Sequence, residues 1–459
     1  MTTIGLELVD AALMAVRDGV RVAASPGVAL IDPEGLLVGE AAAAATRLRP
    51  VLATDRFWAD LATDAMVQTV GSTVSHADLA HAHLSQLWNS IARPETQVVL
   101  AVPGTMRLPQ IGLLLGLAKS IAMPVAGIVD SAVAACADLP ARATVLHLDI
   151  HLHQAVLTEM QGGSLLQRGR VEVTPRAGQT AMHGAWAQLI SEAMVRRTRF
   201  DPLHRAESEQ LLYERLPGWL QSLATQETIN VSIETGSNSF TATLRREQFA
   251  LAADAYYAQL VELVQAGRRA GTSATLVLSS RAAALPALRE RFAAISGLEL
   301  VTLPDTTPAA SAAARVDDIG PGDPPALVTA LPRRLPVATS AVPASRAVPH
   351  RRPRLASPTH VILESRAHAI DEQPLVLGQG EADAAAAKAR RLVLTGRPAG
   401  VSRSHCTLLR RDGTVIVRDH SRYGSFVNDE RVDGEAVLGA GDRLRLGTPG
   451  VVLELVAVA

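Results

Sequence analysis

Residues 401–429, VSRSHCTLLRRDGTVIVRDHSRYGSFVND, hold two short apolar runs, Cys406 to Leu409 and Thr414 to Arg418, with Asp412-Gly413 between them. Asp-Gly joining two such runs is a strong hairpin signal, because the favoured turn needs a left-handed backbone at both central residues. Polar stretches flank the hairpin: Ser402-Arg403-Ser404-His405 before it, and Asp419 to Asn428 after it. Working outward, further strand-like runs lie at His360 to Glu364, Pro374 to Leu377, Arg443 to Leu446 and Val451 to Val456. Short strands separated by turn signals predict an all-β sandwich over residues 359–459.

The composition changes upstream. Thr306 to Pro358 is rich in Pro, Ala, Ser and Arg with almost no aromatics. A segment that buries little apolar area cannot offset its ordering entropy, so a disordered linker is expected over 306–358. Residues 1–305 alternate strand-like runs, Val98 to Val102, Thr144 to Asp149 and Ala274 to Leu278, with helical patterns such as Glu247 to Gly267. That alternation is the signature of an α/β domain. The fold class is therefore multidomain: α/β, then linker, then all-β.

A net charge of -1 and 48% hydrophobic residues describe a folded chain without a strong nucleic-acid field. The 2 cysteines, Cys136 and Cys406, are far apart, so neither a disulfide framework nor a zinc spacing is readable. Ile111 to Val129 is the most apolar stretch, but Lys119 and Pro124 interrupt it. A spanning helix needs about 20 continuous apolar residues, so this reads as a buried helix leading into a strand. No secretory signal is evident at the start. A cytoplasmic setting without membrane insertion is expected.

The C-terminal motifs resemble the forkhead-associated (FHA) family. Gly378 follows an early strand, Ser402-Arg403-Ser404-His405 matches Ser-Arg-x-His, and Asp419 to Asn428 resembles Asp-x-Ser-Ser-Asn-Gly-Thr-x-Val-Asn. Gly441-Asp442 then opens the penultimate strand. The resemblance implies a phosphothreonine-binding module. Such a ligand presents nearly two negative charges and three acceptor oxygens, which call for donors on pre-positioned loops. By resemblance, Ser402 and Arg403 face the phosphate, and Ser421, Arg422, Tyr423 and Gln379 complete the peptide site. Gly378, His405, Gly424 and Asn428 are structural, with His405 buttressing the loop and Gly424 permitting a sharp turn. The sequence departs from the family twice: Gln379 replaces a phosphate-binding arginine, and Tyr423 replaces an asparagine that holds peptide backbone. Arg390, Arg391 and Arg397 in the intervening loop are candidate substitutes. Phosphate-independent docking is the alternative.

Residues 1–305 resemble, more diffusely, the nucleotide-binding domain of DnaK-type chaperones in the actin-like ATPase superfamily. Leu37-Val38-Gly39-Glu40-Ala41-Ala42, Ala101-Val102-Pro103 and Asp130 to Ala135 follow the family order, as do Arg199 to Leu212, Leu244 to Phe249 and Thr275 to Arg289. Phosphate hairpins use glycine so that backbone N–H groups can approach the phosphates closely. Here the three hairpin motifs read Glu7-Leu8-Val9-Asp10, Asp149-Ile150-His151-Leu152-His153 and Leu278-Ser279-Ser280-Arg281, without those glycines. The resemblance thus implies a degenerate nucleotide site over Glu7, Val9, Asp10, Asp149, His151, His153, Ser279 and Ser280. Glu7 and Asp149 retain the hard oxygens that hold Mg²⁺. No catalytic residue and no cofactor is assigned, ATP with Mg²⁺ being the possible exception, and the domain reads as a pseudo-ATPase.

Other candidates carry less. His151 and His153 read as strand side chains without a third ligand, so no metal is assigned. His76, His81 and His83 read as surface residues of a helix. His350-Arg351-Arg352-Pro353-Arg354 reads as solvated linker, not a nucleic-acid contact. Thr306-Thr307-Pro308 suggests a phosphorylated linker that docks on the C-terminal module in cis or in a second copy. The expected function is a cytosolic signalling adaptor, not an enzyme, whose partner is a protein; the alternative is a nucleotide-regulated ATPase that gates the C-terminal module.

Overall fold

The computed structural model describes residues 2–32, 35–69, 72–140, 144–161, 163–268, 273–320, 322, 324–333, 357–363, 366–379, 389–394, 400–428, 430–447 and 450–457. The chain divides into two compact units, residues 1–261 with 274–336, and residues 262–273 with 337–459. Among the described residues, no helix is long and apolar enough to cross a membrane.

The first unit is α/β and repeats one sheet topology. Its first sheet is a meander of β1 (Thr2–Val9), β2 (Ala12–Arg17) and β3 (Val20–Ser25), extended on the other side of β1 by parallel strands β4 (Thr96–Val102) and β5 (Val125–Asp130). The second sheet does the same with β6 (Thr144–Ile150), β7 (Gln154–Gln161) and β8 (Leu165–Pro175), then parallel β9 (Ala274–Leu278) and β10 (Leu298–Thr302). Strand order is thus 5-4-1-2-3 in one sheet and 10-9-6-7-8 in the other. The central strands β1, β4 and β6 are buried nearly throughout, which is why they read as continuous apolar runs.

Helices α1 (His76–Ile91) and α2 (Leu108–Ser120) pack on the first sheet through Leu79, Leu84, Leu87, Ile111 and Leu114. Ser75 starts α1 with a capping box, its hydroxyl accepting from the Asp78 N–H while the Asp78 carboxylate accepts from the Ser75 N–H. The apolar stretch 111–129 is α2 running into β5, as its interruptions implied.

His83 is not a surface residue. It is fully buried, and its Nδ1 accepts from Trp58 Nε1–H at 3.0 Å while Nε2 lies 2.7 Å from Ser25 Oγ. Accepting at Nδ1 places the proton on Nε2, so the ring is neutral and a second proton would face the indole N–H. Burial pushes its pKa down to about 4. As pH falls from 6.5 towards 4 the unfolded chain takes up a proton that the folded one refuses. Stability should fall across that window by on the order of 3 kcal/mol from this group. His83→Gln should show a smaller loss between pH 7 and pH 4.5 by urea titration; an identical loss would count against the assignment.

The boundary expected at residue 305 is wrong, and much of the supposed linker is folded. Thr307–Ala314 forms helix α4, introduced after α3 (Ser131–Cys136), and both are built almost wholly from small residues. Pro308, Ala309 and Ala312 are buried, and α4 lies so close to β1 that a Cβ on Gly5 would sit 1.7 Å from the Ala309 carbonyl oxygen. Alanine-rich composition, read as weak burial, here serves close backbone approach. Two further strands follow: β11 (Leu327–Val328) pairs with β5, and β12 (Ala330–Pro332) pairs with β8. One short segment therefore completes both sheets. Residues 334–356, with His350 to Arg354, lie outside the described residues. Thr307 is the first residue of α4 and Pro308 is buried, so the threonines sit on folded structure and not on a free tether. The flexible segment expected around Thr306 and Thr307 is instead the start of a packed helix.

The second unit is a β-sandwich. One sheet runs β14-β13-β23-β22-β19-β20 and the other β16-β15-β17-β18-β21, where β13 is His360–Leu363, β14 Arg366–Ala369, β15 Leu375–Gly378 and β16 Arg390–Val393. The remaining strands are β17 (Cys406–Arg411), β18 (Thr414–Asp419), β19 (Ser425–Val427), β20 (Glu430–Arg431), β21 (Glu435–Leu438), β22 (Arg443–Leu446) and β23 (Val451–Val456). Alternate residues such as Val361, Leu377, Leu408, Val417, Leu444 and Leu455 face inward and form its core. The β17–β18 turn has φ of 51° at Asp412 and 75° at Gly413, the left-handed pair that the dipeptide foretold.

Candidate functional site

Two loops meet at one end of the sandwich, where β17 begins and β18 ends. His405 holds them together. It is fully buried, its N–H donates to Leu377 O at 2.7 Å, and its Nδ1 accepts from the Ser402 N–H at 3.0 Å. The ring therefore carries its proton on Nε2, which donates to Gly424 O at 2.9 Å. Burial lowers its pKa, in keeping with a neutral bridging ring. In the second loop, Asp419 Oδ1 accepts from Ser421 N–H and from Ser425 Oγ, and Ser421 Oγ accepts from the Gly424 N–H at 2.7 Å. Gly424 has φ of 80°, a conformation that side chains resist.

Ser402 joins the loops directly. Its Oγ accepts from the Arg422 N–H at 3.2 Å, and its carbonyl accepts from the Gln379 N–H at 3.1 Å. Gly378 permits this approach, since a Cβ there would lie 2.1 Å from Arg403 O. Arg403 and Arg422 are exposed beside this junction, and Tyr423 is 49% exposed. Asn428, expected to tie down the following loop, donates to Asp442 Oδ1 at 2.7 Å and accepts from the Arg443 N–H at 2.9 Å.

Residues 377–447 match the family model of the FHA domain. The C-terminal sandwich is an FHA domain. No curated protein matches the chain. Within the FHA domain, the three arginines considered as substitutes for the position of Gln379 part ways. Arg390 turns to Asp371 and Ala369 O. Arg391 Nη2 donates to Arg403 O at 2.6 Å and to Ser404 Oγ at 3.0 Å, bracing the Ser402–His405 loop. Arg397 lies outside the described residues. Sequence reading missed the pairing of β16 with β15, which brings Arg391 under that loop; the short run Arg390–Val393 was its only local signal.

In the α/β unit, the positions read as a degenerate nucleotide site separate into three groups. Glu7, Asp10, Asp149 and His151 converge at the β1–β2 and β6–β7 turns, and Arg281 joins them. Arg281 donates from Nε to Asp149 Oδ1 at 3.0 Å and from Nη2 to Asp149 Oδ2 and Glu7 Oε1, both at 2.8 Å. His151 lies 3.5 Å from Asp149 and 3.7 Å from Asp10. Val9 is core, Ser279 caps the short helix Ser280–Ala283 by accepting from the Ala282 N–H, and Ser280 is that helix's first residue. His153 faces Asp55 at 3.0 Å. His151 and His153 are in the β6–β7 turn and not on a strand as expected, so they diverge onto different carboxylates. Among the described residues, no group of three or more His, Cys, Asp or Glu could hold a metal ion.

Electrostatics follow from this wiring. Burial works against the Asp149 charge, but the two-pronged Arg281 contact and His151 outweigh it and hold the carboxyl well below its usual range. Glu7, with a single Arg281 bond, is dominated by burial and is raised. His151 is raised because Asp149 and Asp10 outweigh its burial, and Arg281 is raised well above its ordinary value.

These residues do not fit a magnesium–nucleotide. A side chain stands at Val9 where close backbone approach would be needed, and the two turns close on each other through the Leu152 N–H, which donates to Asp10 Oδ1 at 3.0 Å. The paired carboxylates already face a guanidinium. A cavity of about 440 Å³ beside the turns is lined by Asp10, Trp58, Thr105, Gln110, His151 and Val173 among others.

Proposed function

We propose that the protein is a cytoplasmic signalling adaptor whose FHA domain docks a phosphothreonine-containing segment of a protein partner. The observation that carries this is the Ser402–Arg422 bond, which draws both loops and two exposed arginines to one place. In this reading, Ser402 Oγ–H, Arg403 and Arg422 take the phosphate, with Ser421, Gln379 and Tyr423 along the peptide. Arg422 supplies the positive charge that Gln379 lacks, and the Tyr423 ring replaces an amide with an apolar surface.

Each charge-assisted hydrogen bond contributes about 1.5–3 kcal/mol. Arg403→Ala and Arg422→Ala should therefore each weaken binding of the full chain to a phosphothreonine peptide roughly ten- to a hundredfold. Titration of a phosphopeptide library and its unmodified counterpart is the test. Equal affinity for both would replace the reading with phosphate-independent docking.

The α/β unit takes part as a protein-interaction scaffold. Its two sheets of one topology support the likeness to the actin-like nucleotide-binding domain, while the filled carboxylate site and closed turns support a pseudo-ATPase without turnover. A thermal shift of the full chain with Mg-ATP would favour nucleotide regulation instead.

A further inference from the structure

We infer that Arg281 is a resident cation, its guanidinium filling the place between Glu7 and Asp149 that a divalent cation would otherwise take. The inference rests on the reading of the α/β unit as a domain without turnover, and adds how that state is maintained. Glu7 and Asp149 come from the topologically matching strands β1 and β6, the first strand of each meander. They are 1% and 5% exposed, so their charges need a counterion inside the protein. Glu7 Oε2 and Asp10 Oδ2 are buried without a hydrogen-bond partner, so acceptor capacity in this cluster exceeds what Arg281 uses.

Arginine suits that role. Its fork matches a carboxylate with two parallel bonds, it stays charged, and it is less strongly hydrated than an ammonium. Mg²⁺ in contrast keeps several waters, for which a dry carboxylate pair has little room. Arg281 is delivered by its backbone: Ser279 donates its N–H to Leu148 O beside Asp149 and caps the helix that carries Arg281. Elsewhere in the same unit an arginine also meets a single buried carboxylate. Arg168 Nη1 donates to Asp130 Oδ2 at 2.9 Å, and Asp130, fully buried, also accepts from the N–H groups of Ala132 and Val133 at the start of α3.

The test is Mn²⁺ uptake, followed by electron paramagnetic resonance, by full-length wild type, Arg281→Lys and Arg281→Ala. Wild type and Arg281→Lys, which keep a tethered charge, should take up none and show no thermal shift. Arg281→Ala should bind Mn²⁺ saturably and gain thermal stability from it. Should Arg281→Ala be unfolded without metal, Mn²⁺ is expected to restore its circular dichroism. An Arg281→Ala protein that gains neither Mn²⁺ nor stability overturns the role of Arg281 and leaves the pseudo-ATPase reading standing. Wild type that shifts with Mg-ATP or takes up Mn²⁺ overturns both.

Discussion

Gly5→Ala is expected to destabilise the α/β unit by about 3 kcal/mol or more, the upper end of what overpacking a core costs. The added methyl would stand 1.7 Å from the Ala309 carbonyl oxygen and 2.5 Å from its carbon. Those are backbone atoms, so no side chain can rotate away. Either β1, the centre of its sheet, or α4 must move. Gly112→Ala on the exposed face of α2 is the matched control, because nothing lies within 4 Å of its Cβ. It should stabilise by roughly 0.5–1 kcal/mol through helix propensity. Urea unfolding of both variants is the measurement. A Gly5→Ala protein with wild-type stability would mean that residues 307–314 do not pack on β1.

Asp149→Ala should cost on the order of 3–5 kcal/mol, as expected when one partner of a buried ion pair is removed. The loss leaves Arg281 with a single carboxylate and removes the nearer of the two acids facing His151. Glu7→Gln should cost less, since it removes one guanidinium bond where Asp149 accepts two. The Asp149 carboxyl titrates below its ordinary value, so its contribution is present above the unfolded carboxylate range and is lost as pH falls through the folded pKa. The wild-type-to-Asp149→Ala difference should accordingly be full at pH 7 and shrink in strong acid. A difference under about 1 kcal/mol at pH 7 would place the cluster in the class of solvated surface pairs.

The FHA domain was legible because its signals are local. Asp412-Gly413 specifies its own turn, and Ser402 to His405 and Asp419 to Asn428 are contiguous segments that carry the FHA resemblance. His405, within the first of those segments, bridges the two loops through its bonds to the Ser402 N–H and Gly424 O. The bracing by Arg391 depends on a strand pairing across residues 376 and 391, which no local pattern announces. Helix α4 is not announced locally either. An alanine-rich segment has little apolar area to bury, and only the neighbouring Gly5 turns that poverty into close packing.

The sequence by itself determined the α/β and all-β classes, the Asp412-Gly413 turn and the FHA motifs, since each is set by backbone preference or side-chain chemistry within a few residues. Tertiary structure alone decided that the α/β unit repeats one sheet topology, that residues 307–333 belong to it, and that Arg281 meets Glu7 across 274 positions. Those outcomes depend on burial, which turns a surface-type arginine into the counterion of two carboxylates and is a property of the packed chain, not of any segment of it.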